Sequence, residues 1–235
     1  MWGKTLICAS LCVGLTFFSG CSHADESSSE SELSAQAPAD ETVQVACVGD
    51  SNTEGYGAES YTAFLAERLG SGYAVDNYGV SGTTAMASGA YPYAETAAYE
   101  TSLAAAPDIV VLMFGTNDTS RSSWHGSDVF AEEYAALVRD YRELESQPTI
   151  YLCTPPAPHV EEYPGMVSFG VQPAAYAAVN ESIRRVAEEN NLAVIDIYAL
   201  TLDHPEWFLD DGIHLSDEGA QAVADAVAEA VQQGK

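Results

Sequence analysis

Ile109-Val110-Val111-Leu112-Met113-Phe114 is an unbroken apolar run, preceded by Pro107-Asp108 and followed by Gly115-Thr116-Asn117-Asp118. A strand with one wet face alternates apolar and polar residues. A run without a polar position has both faces covered, as a central strand of a parallel sheet does. Upstream, Val43 to Val48 is a first strand-like run that ends at Gly49. Tyr61, Phe64, Leu65 and Leu69 recur at helical spacing with Gly70 as a stop, and Tyr73 to Tyr78 is a second strand. Ala94 to Ala106 reads as a helix halted by Pro107. Downstream, Phe130, Tyr134, Leu137, Val138 and Tyr141 mark a helix, then Thr149 to Cys153 a strand. Tyr176, Val179, Ile183 and Val186 mark another helix, followed by a strand from Ala193 to Ile197 and a last helix from Asp217 to Val231. Strands alternating with helices in this way predict a three-layer α/β fold with a five-stranded parallel sheet in one domain, residues 42–235.

The chain has 235 residues, 35 of them acidic against 8 Lys+Arg, for a formal charge of −27. All the acidic residues follow Gly20, and the only lysine beyond Lys4 is Lys235. So anionic a surface repels phosphate backbones and anionic head groups, which excludes nucleic acid as a partner. Hydrophobic residues make up 47%, enough to bury a core, so disorder throughout is excluded as well.

Residues 1–20 read as a leader: Lys4 supplies the basic start, and Leu6 to Phe18 is an apolar run too short to span a bilayer comfortably. It ends in Phe18-Ser19-Gly20-Cys21, which resembles a bacterial lipoprotein cleavage box with Cys21 as the lipid-bearing residue. Residues 21–41 are rich in Ser, Glu and Ala and read as an acidic tether, holding an extracytoplasmic domain away from a membrane at the cell surface or in a periplasm. Plain secretion is the alternative. Cys47 and Cys153 each lie within a strand-like run and read as buried thiols, since a disulfide would need their strands adjacent. No Cys/His spacing suits a metal.

In open parallel sheets ligands sit beyond the carboxyl ends of the strands. Small and polar residues cluster at those ends: Gly49-Asp50-Ser51-Asn52, Gly79-Val80-Ser81-Gly82 and Gly115-Thr116-Asn117-Asp118. Ser51 follows the first strand directly, where a turn into a helix exposes its hydroxyl; taken alone it could merely cap that helix. In Asp211-Gly212-Ile213-His214 the glycine lets the chain turn so that the carboxylate meets the imidazole, fixing its tautomer. An acyl-transfer oxyanion needs donors, which the Ser51 N–H, the Gly79 N–H and the Asn117 amide could supply.

These four blocks, in this order, resemble the SGNH/GDSL hydrolase family: Ser51 in Gly49-Asp50-Ser51, Gly79 in Asn77-Tyr78-Gly79, Asn117 in Gly115-Thr116-Asn117-Asp118, and the Asp211/His214 pair. The resemblance covers nearly all of Val43 to Val231 and implies a flavodoxin-like fold and a cofactor-free serine esterase. Asn52 stands where the family name has Leu, and Leu215 where a Pro is frequent; neither is read as touching a catalytic group. A narrower likeness to bacterial sialate or carbohydrate O-acetylesterases rests on Ser88 to Tyr93, on Trp124 after the Gly115 block, and on Ile150 to Pro156. Tyr91, Tyr93 and Trp124 are the expected substrate-binding residues, with His125 and Tyr163 in neighbouring loops, because aromatic faces suit sugar rings.

The leading expectation is thus an esterase removing acyl, foremost acetyl, groups from carbohydrates or another small ester. A lipolytic esterase or thioesterase would need a long apolar groove, for which Met86, Val160, Met166 and Phe169 are the candidates. A non-catalytic glycan-binding lipoprotein would have no need of the complete set of Ser51, Asp211, His214, Gly79 and Asn117. An acyltransferase would need an acceptor site that excludes water.

Overall fold

The computed structural model describes residues 42–160 and 169–234. The leader, the tether with Cys21, and Tyr163 and Met166 lie outside those residues. In chain order the elements are β1 (Val43–Gly49), α1 (Ser51–Glu54), α2 (Tyr61–Leu69), β2 (Tyr73–Gly79), α3 (Ala97–Ala104), β3 (Ile109–Met113), α4 (Ser127–Arg142), β4 (Thr149–Cys153), α5 (Pro173–Asn190), β5 (Ala193–Ile195), α6 (Ile197–Thr201) and α7 (Asp217–Gln233).

The five strands form one sheet in the order β2-β1-β3-β4-β5, and every neighbouring pair is parallel. Alternation along the strands divides the core between two faces. Val45, Cys47, Val111, Met113, Tyr151 and Cys153 meet Tyr61, Leu65 and Leu69 of α2 and Val223, Val227 and Val231 of α7. Ala46, Val48, Val110, Leu112, Ile150 and Leu152 meet Phe130, Tyr134, Val138 and Tyr141 of α4 and Val179, Ile183 and Val186 of α5. In β3, Val110, Val111 and Leu112 have no exposure, as a doubly covered strand requires. Each such side chain contributes about 1.5–3 kcal/mol by leaving water. Cys47 and Cys153 are buried free thiols on β1 and β4, with β3 between them, and burial pushes the Cys47 thiol up to about 12.

Three elements differ from the sequence reading. The helix expected from Ala94 starts at Ala97, because Thr96 Oγ1 accepts the Tyr99 N–H and caps it; Tyr93–Glu95 forms a separate 3-10 turn. β5 stops at Ile195 because Asp196 caps α6, accepting the Ala199 N–H at 3.1 Å and pairing with Arg184. The short helix α6 was unreadable from periodicity, since its five residues cover little more than one turn.

The strand order reverses between β1 and β3, so the crevice at their carboxyl ends is the topological switch point where such sheets bind ligands. Ser51 leaves β1 and Asn117 follows β3, one on each side of it. Two glycines let α1 fold back over this edge. Gly49 and Gly79 are register partners, and a methyl on Gly49 would lie 2.5 Å from Met113 O. One on Gly79 would lie 2.2 Å from Glu54 N, inside α1.

Candidate active site

Ser51 is the first residue of α1, and the preceding Asp50 caps it by accepting the Asn52 N–H at 3.0 Å. The hydroxyl lies 2.9 Å from His214 Nε2, and His214 Nδ1 lies 2.6 Å from Asp211 Oδ2. A carboxylate only accepts, so Nδ1 carries the ring proton and Nε2 is left to accept from the serine. The other oxygen of Asp211 accepts the N–H groups of Ile213 and His214, each at 2.9 Å, which folds the loop tightly about Gly212 at φ +67°. Burial alone would raise the Asp211 carboxyl; the hydrogen bonds from the His214 ring and from these two N–H groups outweigh it and hold it below its ordinary value.

Asn52 joins these two parts. Its Oδ1 accepts the Leu215 N–H at 3.0 Å and its Nδ2 donates to Ile213 O at 3.4 Å, gripping the backbone on either side of His214. The sequence reading treated this position as a neutral departure. It is a buried amide that ties the serine's helix to the histidine's loop.

Across the cleft lies the loop after β2. From Val80 to Met86 its backbone N–H groups are engaged one by one: Val80 with Gly49 O, Ser81 with Glu54 Oε2, Thr83 with Val80 O, Thr84 with Tyr91 O, and Ala85 and Met86 with the Asp118 carboxylate. Among the described residues only Gly82 in this stretch has an N–H with no acceptor. Gly82 lines the cleft with Ser51, Asn117 and His214. Asn117 donates one amide hydrogen to Thr83 O at 3.0 Å and keeps the other. The Ser51 N–H, at the first position of a helix, has no intrahelical acceptor. Three unspent donors therefore border the serine hydroxyl.

Gly79, expected as a donor, is not one of them. Its N–H donates to Asn77 Oδ1 at 2.9 Å, and its lack of a side chain serves the close approach of α1. The glycine whose N–H is left without an acceptor among the described residues is Gly82, three residues further on.

With this geometry in hand, the sequence profile of the GDSL-like lipase/acylhydrolase family matches residues 47–222. The chain belongs to that family. The matched segment runs from β1 into α7. An acetylxylan esterase of Xylanibacter ruminicola is 31% identical over 221 residues, an alignment covering 83% of this chain and 44% of that protein. The chain thus spans less than half the length of this relative. Among solved structures, a putative arylesterase from Agrobacterium tumefaciens is similar at TM-score 0.65 and 19% identity, covering 81% of this chain and 99% of that one. A carbohydrate acetylesterase family member from Sinorhizobium meliloti is similar at TM-score 0.65 and 22% identity, covering 81% and 98%. At such identity these structures share the α/β fold.

The cleft of this GDSL-family chain is small, about 210 Å³. Phe169, Val171 and Ile213 form its apolar wall, with Ser81, Gly82 and Asn117 among its other lining residues. Of the expected aromatic residues, Tyr91 is exposed and sits beside Gly82: its Cδ1 is 4.0 Å from where a Gly82 methyl would be. Tyr93 is a correction. It is fully buried against Phe114 and Tyr99, and its hydroxyl donates to Tyr78 O at 2.8 Å, so it is a core anchor out of reach of a ligand. Trp124 packs, half-buried, against the core beside α4 and does not line the cleft. Tyr56 and Phe169, the latter a candidate above for an apolar groove, flank the His214 ring at centroid distances of 4.2 and 5.4 Å.

Two more carboxyls lie buried around the site. Burial raises Asp50 to about 7, partly opposed by the Asn52 N–H and assisted by Asp118. Burial raises Asp118 to about 6 against the N–H groups of Met86 and Ala85. In the unfolded chain both groups lose their protons near pH 4. Between about pH 4 and 7 the native state therefore binds more protons than the unfolded one, and stability falls as pH rises through that window. At about 1.4 kcal/mol per unit, Asp50 alone accounts for roughly 4 kcal/mol. Asp50→Asn is expected to be the more stable protein at pH 8, by about 2 kcal/mol or more, with a flatter decline between pH 5 and 8. Urea denaturation at both pH values measures it. Parallel curves for the two proteins would rule the account out.

Proposed function

We propose that this GDSL-family hydrolase removes O-acyl groups, foremost acetyl, from carbohydrates, with Ser51, His214 and Asp211 as its catalytic triad. The carrying observation is the continuous relay from Ser51 Oγ through His214 to Asp211, at 2.9 and 2.6 Å. In this reading Nε2 of His214 takes the serine proton as Oγ attacks the ester carbonyl, and Asp211 stabilises the imidazolium that forms. The negative charge on the carbonyl oxygen is met by the N–H groups of Ser51 and Gly82 and the amide of Asn117. Collapse of the tetrahedral intermediate expels the alcohol, which takes the proton from Nε2. A water molecule, deprotonated by the same nitrogen, then attacks the acyl-serine and releases the carboxylic acid, restoring Ser51.

Two further observations support acetyl and sugar. The cleft volume of about 210 Å³ lies below the roughly 300–1,000 Å³ of sites that enclose whole ligands, so it suits a short acyl group on an alcohol that stays outside. The relative from Xylanibacter ruminicola is an acetylxylan esterase. The Phe18-Ser19-Gly20-Cys21 box supports a lipoprotein held outside the cytoplasm through Cys21. Mass spectrometry of the membrane fraction should find the mature chain starting at a lipidated Cys21; an unmodified, different N-terminus would refute the anchor.

The test of acyl preference is kcat/KM across nitrophenyl esters from acetyl to octanoyl, for the wild type and Ser51→Ala. The expected result is a maximum at acetyl, a fall of at least about tenfold by octanoyl, and no turnover above background in the variant. A maximum at long chains would transfer the assignment to lipid or thioester substrates.

A further inference from the structure

Among the described residues, the large hydrophobic side chains that remain exposed are Tyr56 at 49%, Phe169 at 48%, Tyr91 at 46% and Leu202 at 46%. Tyr56 and Phe169 line the cleft and Tyr91 stands beside Gly82 at its edge, so three of these four border one small opening. Single exposed apolar residues are ordinary; aromatic rings gathered at a cleft mark a contact surface.

Backbone hydrogen bonds fix the main chain beneath two of these rings. Tyr91 is presented by a strap in which Thr84 donates to Tyr91 O at 2.9 Å and Tyr93 donates to Thr84 O at 2.9 Å, while the buried Tyr93 anchors the next turn. Tyr56 follows the left-handed Gly55 and donates its N–H to Ser51 O at 3.1 Å. Phe169 sits at φ +48°, a conformation bulky residues avoid, while its side chain is half exposed. Neither backbone preference nor burial explains a phenylalanine there. A ligand face does.

The chemistry orders the rings. The leaving oxygen must come within hydrogen-bond reach of His214 Nε2 to be protonated, so the ring bearing that oxygen lies on the histidine side of the cleft. Tyr56 and Phe169 flank that imidazole. Tyr91 is not among the residues that line the cleft; it stands at the rim, next to Gly82. A single sugar ring held by Tyr56 and Phe169 leaves Tyr91 free for another unit.

We propose, resting on the carbohydrate-esterase reading above, that these rings form a two-part saccharide subsite: the unit carrying the ester lies against Tyr56 and Phe169, and a neighbouring unit of the same chain stacks on Tyr91. The substrate class is then an O-acetylated oligo- or polysaccharide rather than a free monosaccharide. Pre-ordered rings offer apolar faces at little entropic cost, which suits recognition of a chain by stacking.

The experiment compares kcat/KM for acetate release from acetylated methyl β-xyloside and acetylated β-1,4-xylotriose, and from the matching glucoside and cellotriose. The full-length wild type, Tyr91→Ala and Tyr91→Trp are assayed, with nitrophenyl acetate alongside. The wild type is expected to favour the trisaccharide by at least about tenfold for one of the two sugars. That ratio should collapse to about twofold in Tyr91→Ala and be retained in Tyr91→Trp. Equal wild-type rates on monomer and trimer would overturn the two-part subsite, and a preference surviving Tyr91→Ala would overturn the role of Tyr91. Turnover of nitrophenyl acetate with no Ser51-dependent release from either sugar would overturn the carbohydrate reading itself, and the subsite with it.

Discussion

Ser51→Ala is expected to lower kcat by about 10⁴-fold or more while leaving the protein as stable as the wild type. Among the described residues the hydroxyl bonds only His214 Nε2, so its removal strands no other polar group. Alanine suits the first turn of α1, and the cap from Asp50 stays in place. The backbone N–H at position 51 survives the change, so the proposed oxyanion donor remains. What disappears is the proposed nucleophile alone. His214→Ala should cost a similar factor, and the double variant little more than either single one, because base and nucleophile act as a unit. Measuring kcat and urea midpoints for the three variants tests this. A double variant whose loss is the product of the single losses would show that Ser51 and His214 act independently, and the relay would lose its meaning.

The strands and the Asp211–His214 contact were legible in the sequence because each depends on residues close together in the chain, whereas Ser51 meets His214 across 163 positions. Ile109 to Phe114 announces a doubly covered strand by composition, and Asp211 to His214 sets a carboxylate beside an imidazole through a single turn. What escaped depends on partners far away. Gly79 and Gly82 are both loop glycines after the same strand, and only tertiary hydrogen bonds separate them. Asn77 takes the Gly79 N–H, while Glu54 and Asp118 secure the loop on either side of Gly82. Tyr91 and Tyr93 are two residues apart, yet one faces solvent and the other fills the core against Phe114. Asn52 looked like a neutral variant because its bonds run to Ile213 and Leu215, some 160 positions on. Phe169 had no periodic signal at all; its place beside His214 comes from a left-handed turn that a sequence without glycine at that position does not announce.

Asp211→Asn is the second change expected to have a large effect, and it separates catalysis from folding. The amide oxygen can still accept the N–H groups of Ile213 and His214, so the loop keeps its turn. The amide nitrogen then faces His214 Nδ1, and a donor there favours the tautomer with the proton on Nε2. That proton points at Ser51 Oγ, so the ring can no longer accept from the hydroxyl, and no carboxylate remains to stabilise an imidazolium. A fall in kcat of about 10⁴-fold is expected. Stability should change far less at neutral pH. Asp211 has a depressed carboxyl, so its contribution is present above the unfolded carboxylate value and is lost as pH falls through the lower folded one. The wild type should therefore lose part of its advantage over Asp211→Asn on acidification below about pH 4, where the unfolded carboxyl takes its proton. Steady-state kinetics and urea midpoints at pH 7 and pH 3 read both effects on one pair of proteins. Were kcat to stay within tenfold of wild type, Asp211 would be a brace for the loop and not the group that orients His214.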